Sequence, residues 1–143
     1  MGQRPKSLLE LDGVPLICRQ VMALREAGVT ELVLVLGHHA RDIEAAVKAL
    51  KVTVVINPDP DAGPVSSQRL GLQSLSEPSD AVLMALADQP LIDAADLRQL
   101  IQAFSQRPAA CSLLYPRVAG HPGNPVVFSA DVRAAMLACP ADV

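Results

Sequence analysis

The stretch DAVLMALADQPLIDAADLRQLIQAF (residues 80–104) decides the fold. It begins with a continuous apolar run, which is typical of a buried strand, and it ends with apolar residues at helical spacing. Asp93 directly precedes the helical part, and Asp96 follows three positions later, the pattern of an N-cap. The stretch therefore predicts a buried strand, a loop and a capped helix. Asp88 lies in that loop, where the predicted strand ends.

The same alternation extends along the whole chain. Four apolar runs predict strands covered on both faces: ELVLVL (residues 31–36), VTVVI (52–56), AVLMAL (81–86) and CSLLY (111–115). Helical patterns lie between them, for example over residues 15–27. This order predicts an α/β fold of three layers, a doubly wound and mostly parallel sheet, in one domain over residues 1–143. Ligands of such sheets bind at the carboxyl ends of the strands.

Composition excludes several classes of partner. The net charge is −3 and aromatic residues make up only 2% of the chain, so the basic patches and stacking platforms of nucleic-acid binders are not expected. No apolar run approaches the length of a membrane span. The N-terminus lacks the continuous apolar segment of a signal peptide, so a cytoplasmic location is expected. Cys18, Cys111 and Cys139 are predicted to be small buried apolar residues, without a disulfide or a zinc site.

Asp88 is the first candidate for chemistry. An aspartate after a strand is commonly a turn or cap residue. Here Asp93 already supplies the cap, and Gln89-Pro90 favours an extended backbone after Asp88. The carboxylate is then free to face a cleft and to hold a hard cation such as Mg²⁺, together with phosphate oxygens and water.

Ser66, Ser67 and Lys6 are candidates for binding phosphate. The two serines follow Gly63 at the predicted start of a helix, where they would either cap the helix or help it to bind an anion. Lys6 would either be solvated or place its ammonium against a transferring phosphate. His38 and His39 also follow a strand, but adjacent side chains usually point apart, which favours a solvated loop over a shared metal site.

Four segments together resemble a known family. RPKSLLELDGVPLI, NPDPDAGPVSSQRLGL, ALADQPLI and GHPGNPVVF occur in the order seen in MobA-like nucleotidyltransferases, and the resemblance covers nearly the whole chain. The Asp-Gln-Pro sequence is more similar to the molybdenum cofactor cytidylyltransferase branch than to the guanylyl branch.

The resemblance implies a Rossmann-like nucleotidyltransferase fold and roles for particular residues. It implies that Asp88 binds Mg²⁺ and that Lys6 contacts the triphosphate. It also implies that Ser66, Ser67 and Gly71 hold the nucleotide or its phosphates, and that Gly123, Asn124 and Pro125 line the second-substrate side. The expected reaction transfers CMP from CTP, favoured over GTP, to the terminal phosphate of a molybdopterin acceptor and releases pyrophosphate. Two alternatives remain open: transfer to a sugar phosphate or other small molecule, and nucleotide binding without catalysis.

The chain departs from the family pattern at both ends. The family begins with a strand and a glycine-rich loop, of which only Met1-Gly2 matches the tail, and it continues beyond the final CPADV. The missing first strand would lie between the strands at residues 31–36 and 81–86. We therefore expect this chain to be unstable, or to self-associate through unpaired strand edges.

Overall fold

The computed structural model describes residues 5–76, 80–86 and 93–139. It contains five helices in that part of the chain: α1 (Leu16–Glu26), α2 (Ala40–Val47), α3 (Pro64–Ser74), α4 (Ala94–Ser105) and α5 (Ala130–Ala138). The longer strands are β3 (Val33–Leu36), β4 (Thr53–Ile56), β5 (Ala81–Met84) and β9 (Val126–Ser129). The two-residue strands are β1 (Glu10–Leu11), β2 (Val14–Pro15), β6 (Leu113–Leu114), β7 (Arg117–Val118) and β8 (His121–Pro122). Short 3₁₀ turns occupy Lys6–Leu8, Lys48–Leu50 and Pro60–Ala62.

All four predicted strands and the capped helix are present in the structure. β3, β4, β5 and β6 lie inside the predicted runs, and each is shorter than its run. The side chain of Asp93 accepts a hydrogen bond from the backbone N–H of Asp96 at 2.8 Å, which confirms the predicted N-cap of α4. The α/β class predicted from the alternation is therefore correct.

The described strands form two main sheets. β3 and β4 are parallel and in register from Val33↔Thr53 to Leu36↔Ile56. β9 lies between β5 and β6 and runs antiparallel to both. Two small antiparallel hairpins, β1–β2 and β7–β8, complete the pairing. Among the described residues, no strand joins β3 to β5, so each of these strands has one edge without a described partner.

Helices cover both faces of the strands. Ile17 and Val21 of α1 and Ile43 and Val47 of α2 form one buried cluster with Leu36 of β3. α3 packs on the opposite face of β3, because a Cβ atom on Gly71 would lie only 3.1 Å from Cγ2 of Val35. α4 contacts α1, β6 and β9, whereas α5 contacts α3, β5 and β9. The result is three layers, with α1, α2 and α4 on one side and α3 and α5 on the other.

The three cysteines differ in burial. Cys18 is buried in α1, and burial raises the pKa of its thiol. Cys111 is half-buried and Cys139 is exposed, so the prediction that all three are buried is wrong for these two. Cys139 directly follows α5 and Cys111 lies in a connection between elements, so the core does not enclose them. In the described residues, no helix is long and apolar enough to cross a membrane.

Helices α3 and α5 each carry an arginine that caps the C-terminus of the other helix. Arg133 of α5 is buried, and its Nη2 donates to the carbonyl oxygens of Leu72 at 2.8 Å and Leu75 at 3.1 Å, at the end of α3. In return, Arg69 of α3 donates to the carbonyl oxygens of Leu137 and Cys139 at the end of α5. The last carbonyl groups of a helix are unpaired and carry a partial negative charge. A guanidinium group donates hydrogen bonds to these carbonyl groups and offsets the charge. This exchange fixes α3, the helix that leads from the candidate site, to α5.

Replacing Arg133 with Met is expected to lower the free energy of unfolding by about 2–4 kcal/mol, because two charge-assisted hydrogen bonds at a buried position are lost. Met keeps the apolar stem, so lost packing contributes little. Arg98→Met is the control, since Arg98 and Glu26 form an exposed ion pair at 3.7 Å, of a kind worth about 0–1 kcal/mol. Urea melts measure both variants. Equal effects would show that the exchange between α3 and α5 is energetically unimportant.

Candidate functional site

The candidate site lies at the carboxyl edge of the parallel pair. β3 ends at Leu36 and β4 ends at Ile56. The backbone N–H of Asn57 donates to the carbonyl oxygen of Leu36 at 2.7 Å, so the pairing of the two strands continues one residue into the loop. Residues 57–63 then lead directly to α3. The loop that leads to the candidates Ser66 and Ser67 therefore begins at the edge where ligands of such sheets bind.

Asn57 organises this loop. Its side chain is buried, with 4% of the residue exposed. The Oδ1 atom accepts from the backbone N–H of Asp59 at 2.9 Å, and the Nδ2 atom donates to Oγ of Ser66 at 2.9 Å and of Ser67 at 3.0 Å. One side chain thus links the end of β4, the loop and the first turn of α3. Asn57 was not among the candidates from the sequence; an asparagine opening an Asn-Pro-Asp-Pro segment was the available signal.

The N-terminus of α3 has no side-chain cap. Gly63 occupies the cap position with φ of 104°, a conformation that favours glycine, and Pro64 is the first helical residue. Ser66 and Ser67 are therefore the third and fourth residues of the helix, and the alternative that they cap it is wrong. Gly63 and Pro64 shift the helix start two residues earlier than Ser66. Pro64 has no N–H group and the N–H of Ser66 donates to the carbonyl oxygen of Gly63 at 3.3 Å, so the N–H of Val65 is the first-turn donor that this helix start offers to an anion.

A histidine and an aspartate meet above this edge. Nε2 of His38, in the loop after β3, lies 3.0 Å from Oδ1 of Asp61 in the loop after β4. Both side chains are exposed, as predicted for His38, but no sequence pattern indicated the aspartate as its partner. The loops approach closely, since a Cβ atom on Gly37 would lie 2.7 Å from Cβ of Pro60. Glycine at position 37 is therefore needed for this approach.

The other sequence candidates lie on different elements. Lys6 is exposed and begins the 3₁₀ turn that packs against α1 and α2. Gly71 lies within α3 and faces Val35, where the absence of a side chain allows close packing of helix and strand. Asp88 lies outside the described residues, so its predicted metal role stays a prediction.

Gly123, Asn124 and Pro125 directly precede β9. Because β9 is antiparallel to β5 and Met84 pairs with Val126, these three residues lie at the carboxyl end of β5. The N–H of Gly123 donates to the carbonyl oxygen of Pro116 at 2.8 Å, and Pro125 is buried. The predicted second-substrate segment therefore lies at the same kind of strand end as the candidate phosphate site.

Within residues 5–76, 80–86 and 93–139, no three His, Cys, Asp or Glu side chains gather in a metal-binding cluster. A Mg²⁺ ion that arrives with a nucleotide does not need such a cluster, since one or two carboxylates, phosphate oxygens and water complete its coordination. The described loop contains Asp59 and Asp61, and the role of Asp88 as a metal ligand stays a prediction. Carboxylate oxygens are of the type that Mg²⁺ prefers.

The fold is of the layered α/β type whose ligands bind at the carboxyl ends of the strands. The whole chain, residues 1–143, matches the MobA-like NTP transferase domain, and the protein belongs to that family. It is 31% identical over 142 residues to nicotine blue oxidoreductase of Paenarthrobacter nicotinovorans, covering 95% of this chain and 68% of the relative. The bifunctional protein GlmU of Syntrophomonas wolfei is 27% identical over 117 residues, covering 77% of this chain and 24% of that protein. The chain thus spans about a quarter of the GlmU relative.

A solved structure extends the similarity to the backbone. Rv0371c of Mycobacterium tuberculosis, in complex with manganese, has a TM-score of 0.79 and 28% identity, with 95% of this chain and 70% of that chain covered. The two chains share the Rossmann-like α/β fold, as the alternation of strands and helices in the sequence predicts.

Proposed function

We propose that the protein is a nucleotidyltransferase that binds the phosphates of a nucleoside triphosphate at the start of α3. The observation that carries this proposal is the uncapped helix start, held by buried Asn57 at the carboxyl edge of a parallel strand pair, in a chain of the MobA-like NTP transferase family. The N–H of Val65 and a serine hydroxyl group at this helix start suit an anionic ligand. Lys6, which is exposed, would supply a positive charge to the triphosphate.

The chemistry follows from charge and position. A phosphate oxygen of the acceptor attacks the α-phosphorus of the nucleotide, the new P–O bond forms, the bond to the β-phosphate oxygen breaks, and pyrophosphate leaves. The protein positions the two substrates and neutralises charge, so it needs no nucleophile of its own. A divalent cation, held by Asp88, would stabilise the charge on the phosphates; the manganese complex of Rv0371c supports such a cation. Gly123, Asn124 and Pro125 would contact the acceptor.

We assign CTP as the nucleotide and a molybdopterin-type phosphate as the acceptor, because the Asp-Gln-Pro segment resembles the cytidylyl branch. Release of pyrophosphate from CTP in the presence of Mg²⁺ and this acceptor is the direct test. A sugar 1-phosphate in place of the pterin tests the alternative acceptor class. If CTP binds but no pyrophosphate is released with either acceptor, a non-catalytic nucleotide-binding module would be favoured.

The melting temperature is expected to rise more with CTP and Mg²⁺ than with GTP and Mg²⁺. A ligand at about 100 times its Kd adds about 2.7 kcal/mol to the stability of the native state, which is several degrees for a domain of this size. Thermal melts with each nucleotide, with and without Mg²⁺, measure the difference. An equal or larger rise with GTP would contradict the assignment of the base.

A second candidate function is a redox reaction. The observation in its favour is that nicotine blue oxidoreductase matches 95% of this chain, more than the GlmU relative does. The sequence contains no G-x-G-x-x-G turn, which counts against a dinucleotide site of the usual type. Thermal melts with NADH and NADPH discriminate the two functions: a rise with either dinucleotide and none with CTP or GTP would favour the oxidoreductase.

A further inference from the structure

We propose that Asn57 is a positioning residue that leaves the hydroxyl hydrogen of Ser67 free for a phosphate oxygen, while Ser66 serves only the helix start. This inference rests on the proposed function, because it divides the roles of two serines within the same site. It follows from the direction of the hydrogen bonds around one buried amide.

The orientation of the Asn57 amide is fixed by its surroundings. The backbone N–H of Asp59 can only donate, so the side-chain atom that faces it at 2.9 Å must be the oxygen. The other end of the amide, which faces Ser66 and Ser67, must then be the nitrogen. An NH₂ group has two hydrogens and donates both, one to each hydroxyl oxygen.

Both serines must therefore accept from Asn57, and each hydroxyl hydrogen has to point elsewhere. Ser66 donates its hydrogen to the carbonyl oxygen of Gly63 at 2.9 Å, so this hydroxyl is committed to the turn before α3. Within the described residues, the Ser67 hydroxyl has no protein acceptor. Since its oxygen already receives a hydrogen from Asn57, it is polarised as a donor, which is what an anionic phosphate oxygen requires.

Burial of Asn57 holds this arrangement of hydrogen bonds in place. Asn57 is 4% exposed, whereas both serines are half-buried and reachable from solvent. A buried amide with all its groups paired cannot rotate without losing several hydrogen bonds at once. The direction of the Ser67 hydroxyl is therefore set before any nucleotide binds.

The matched pair Ser66→Ala and Ser67→Ala tests the division of roles. Each variant removes one acceptor from Asn57, and Ser66→Ala also removes the bond to Gly63, so Ser66→Ala is expected to lose more stability than Ser67→Ala. Only Ser67→Ala is expected to weaken binding of Mg²⁺-CTP, by about 10-fold, because one charge-assisted hydrogen bond is lost. Ser66→Ala is expected to change the Kd by no more than about 2-fold, and Ser67→Thr, which keeps the hydroxyl, is expected to restore most of the affinity.

Asn57→Asp tests the positioning role directly. The carboxylate can only accept, so it takes the Ser67 hydrogen and adds a negative charge beneath the phosphates. We expect the Kd for Mg²⁺-CTP to rise by about 10-fold or more, through the same loss of a donor. Titration calorimetry with CTP and urea melts separate binding from stability.

The outcomes are distinguishable. A wild-type protein that unfolds cooperatively in urea but binds neither CTP nor GTP overturns the proposed function, and this inference with it. Wild-type binding with equal Kd changes in Ser66→Ala and Ser67→Ala overturns the division of roles and leaves the proposed function standing. If Asn57→Asp does not fold, the two serine variants still decide the matter.

Discussion

Replacing Asp88 with Asn is expected to lower the rate of nucleotidyl transfer by at least about 100-fold, the range found when one group that stabilises transition-state charge is removed. Asparagine has the same shape but lacks the negative charge that a divalent cation requires. The unfolding free energy is expected to change little, because the side chain is predicted to face solvent. Pyrophosphate release at saturating Mg²⁺ measures the first quantity, and urea melts measure the second.

Asp93→Asn is the matched control for this experiment. Asp93 lies five positions further on and caps α4 through its contact with Asp96. Asparagine is an equally good N-cap, so both activity and stability are expected to remain close to wild type. Full activity of Asp88→Asn at saturating Mg²⁺ would remove the metal role and leave Asp88 as a turn residue.

The 143-residue chain, produced by itself, is expected to self-associate or to unfold at low urea concentration. β3 pairs with β4, and β5 pairs with β9, but among the described strands neither has a partner on its second edge. Unpaired edges of apolar strands are templates for pairing with another chain. Each backbone group that stays buried without a partner costs about 1–3 kcal/mol, against about 5–15 kcal/mol that stabilises a typical domain.

Val33→Pro examines the edge of β3. Hydrogen bonds from Thr53 to Leu32 and from Asn57 to Leu36 show that even-numbered residues of β3 face β4. The N–H of Val33 therefore points to the open edge, and proline there blocks that edge without removing a bond to β4. Light scattering is expected to show less association for this variant. A wild-type chain that stays monomeric and melts at a urea concentration ordinary for its size would contradict the expectation.

The cap and the strands could be predicted because their signals are local. The apolar runs of β3, β4 and β5 and the cap pair Asp93 and Asp96 lie within a few residues of one another, and each depends on its own stretch of chain. The position of β9 could not be predicted in this way. A four-residue apolar run does not tell whether it enters a sheet parallel or antiparallel, because pairing direction depends on the route of the whole chain.

In the candidate site, too, only the features with a local sequence signal could be predicted. The sequence identified Ser66 and Ser67 near the start of a helix, since glycine, proline and serines before a helical run are a local pattern. It misplaced the cap, because both Ser66 and Gly63 suit that position and only the backbone conformation at Gly63 selects between them. It also missed Asn57, whose serine partners lie 9 and 10 positions away. It missed Asp61 as well, whose partner His38 lies 23 positions away.

The sequence by itself determined the α/β class, the four strands β3, β4, β5 and β6, the cap of α4 and the family, because periodicity, caps and motif order are carried by neighbouring residues. Only the tertiary structure decided which hydroxyl at the start of α3 is left free to donate. It also decided that Arg133 caps a helix whose last carbonyl groups lie 58 and 61 positions away. Such contacts form between segments that folding brings together, and their geometry depends on burial and on the direction of hydrogen bonds, which no local pattern records.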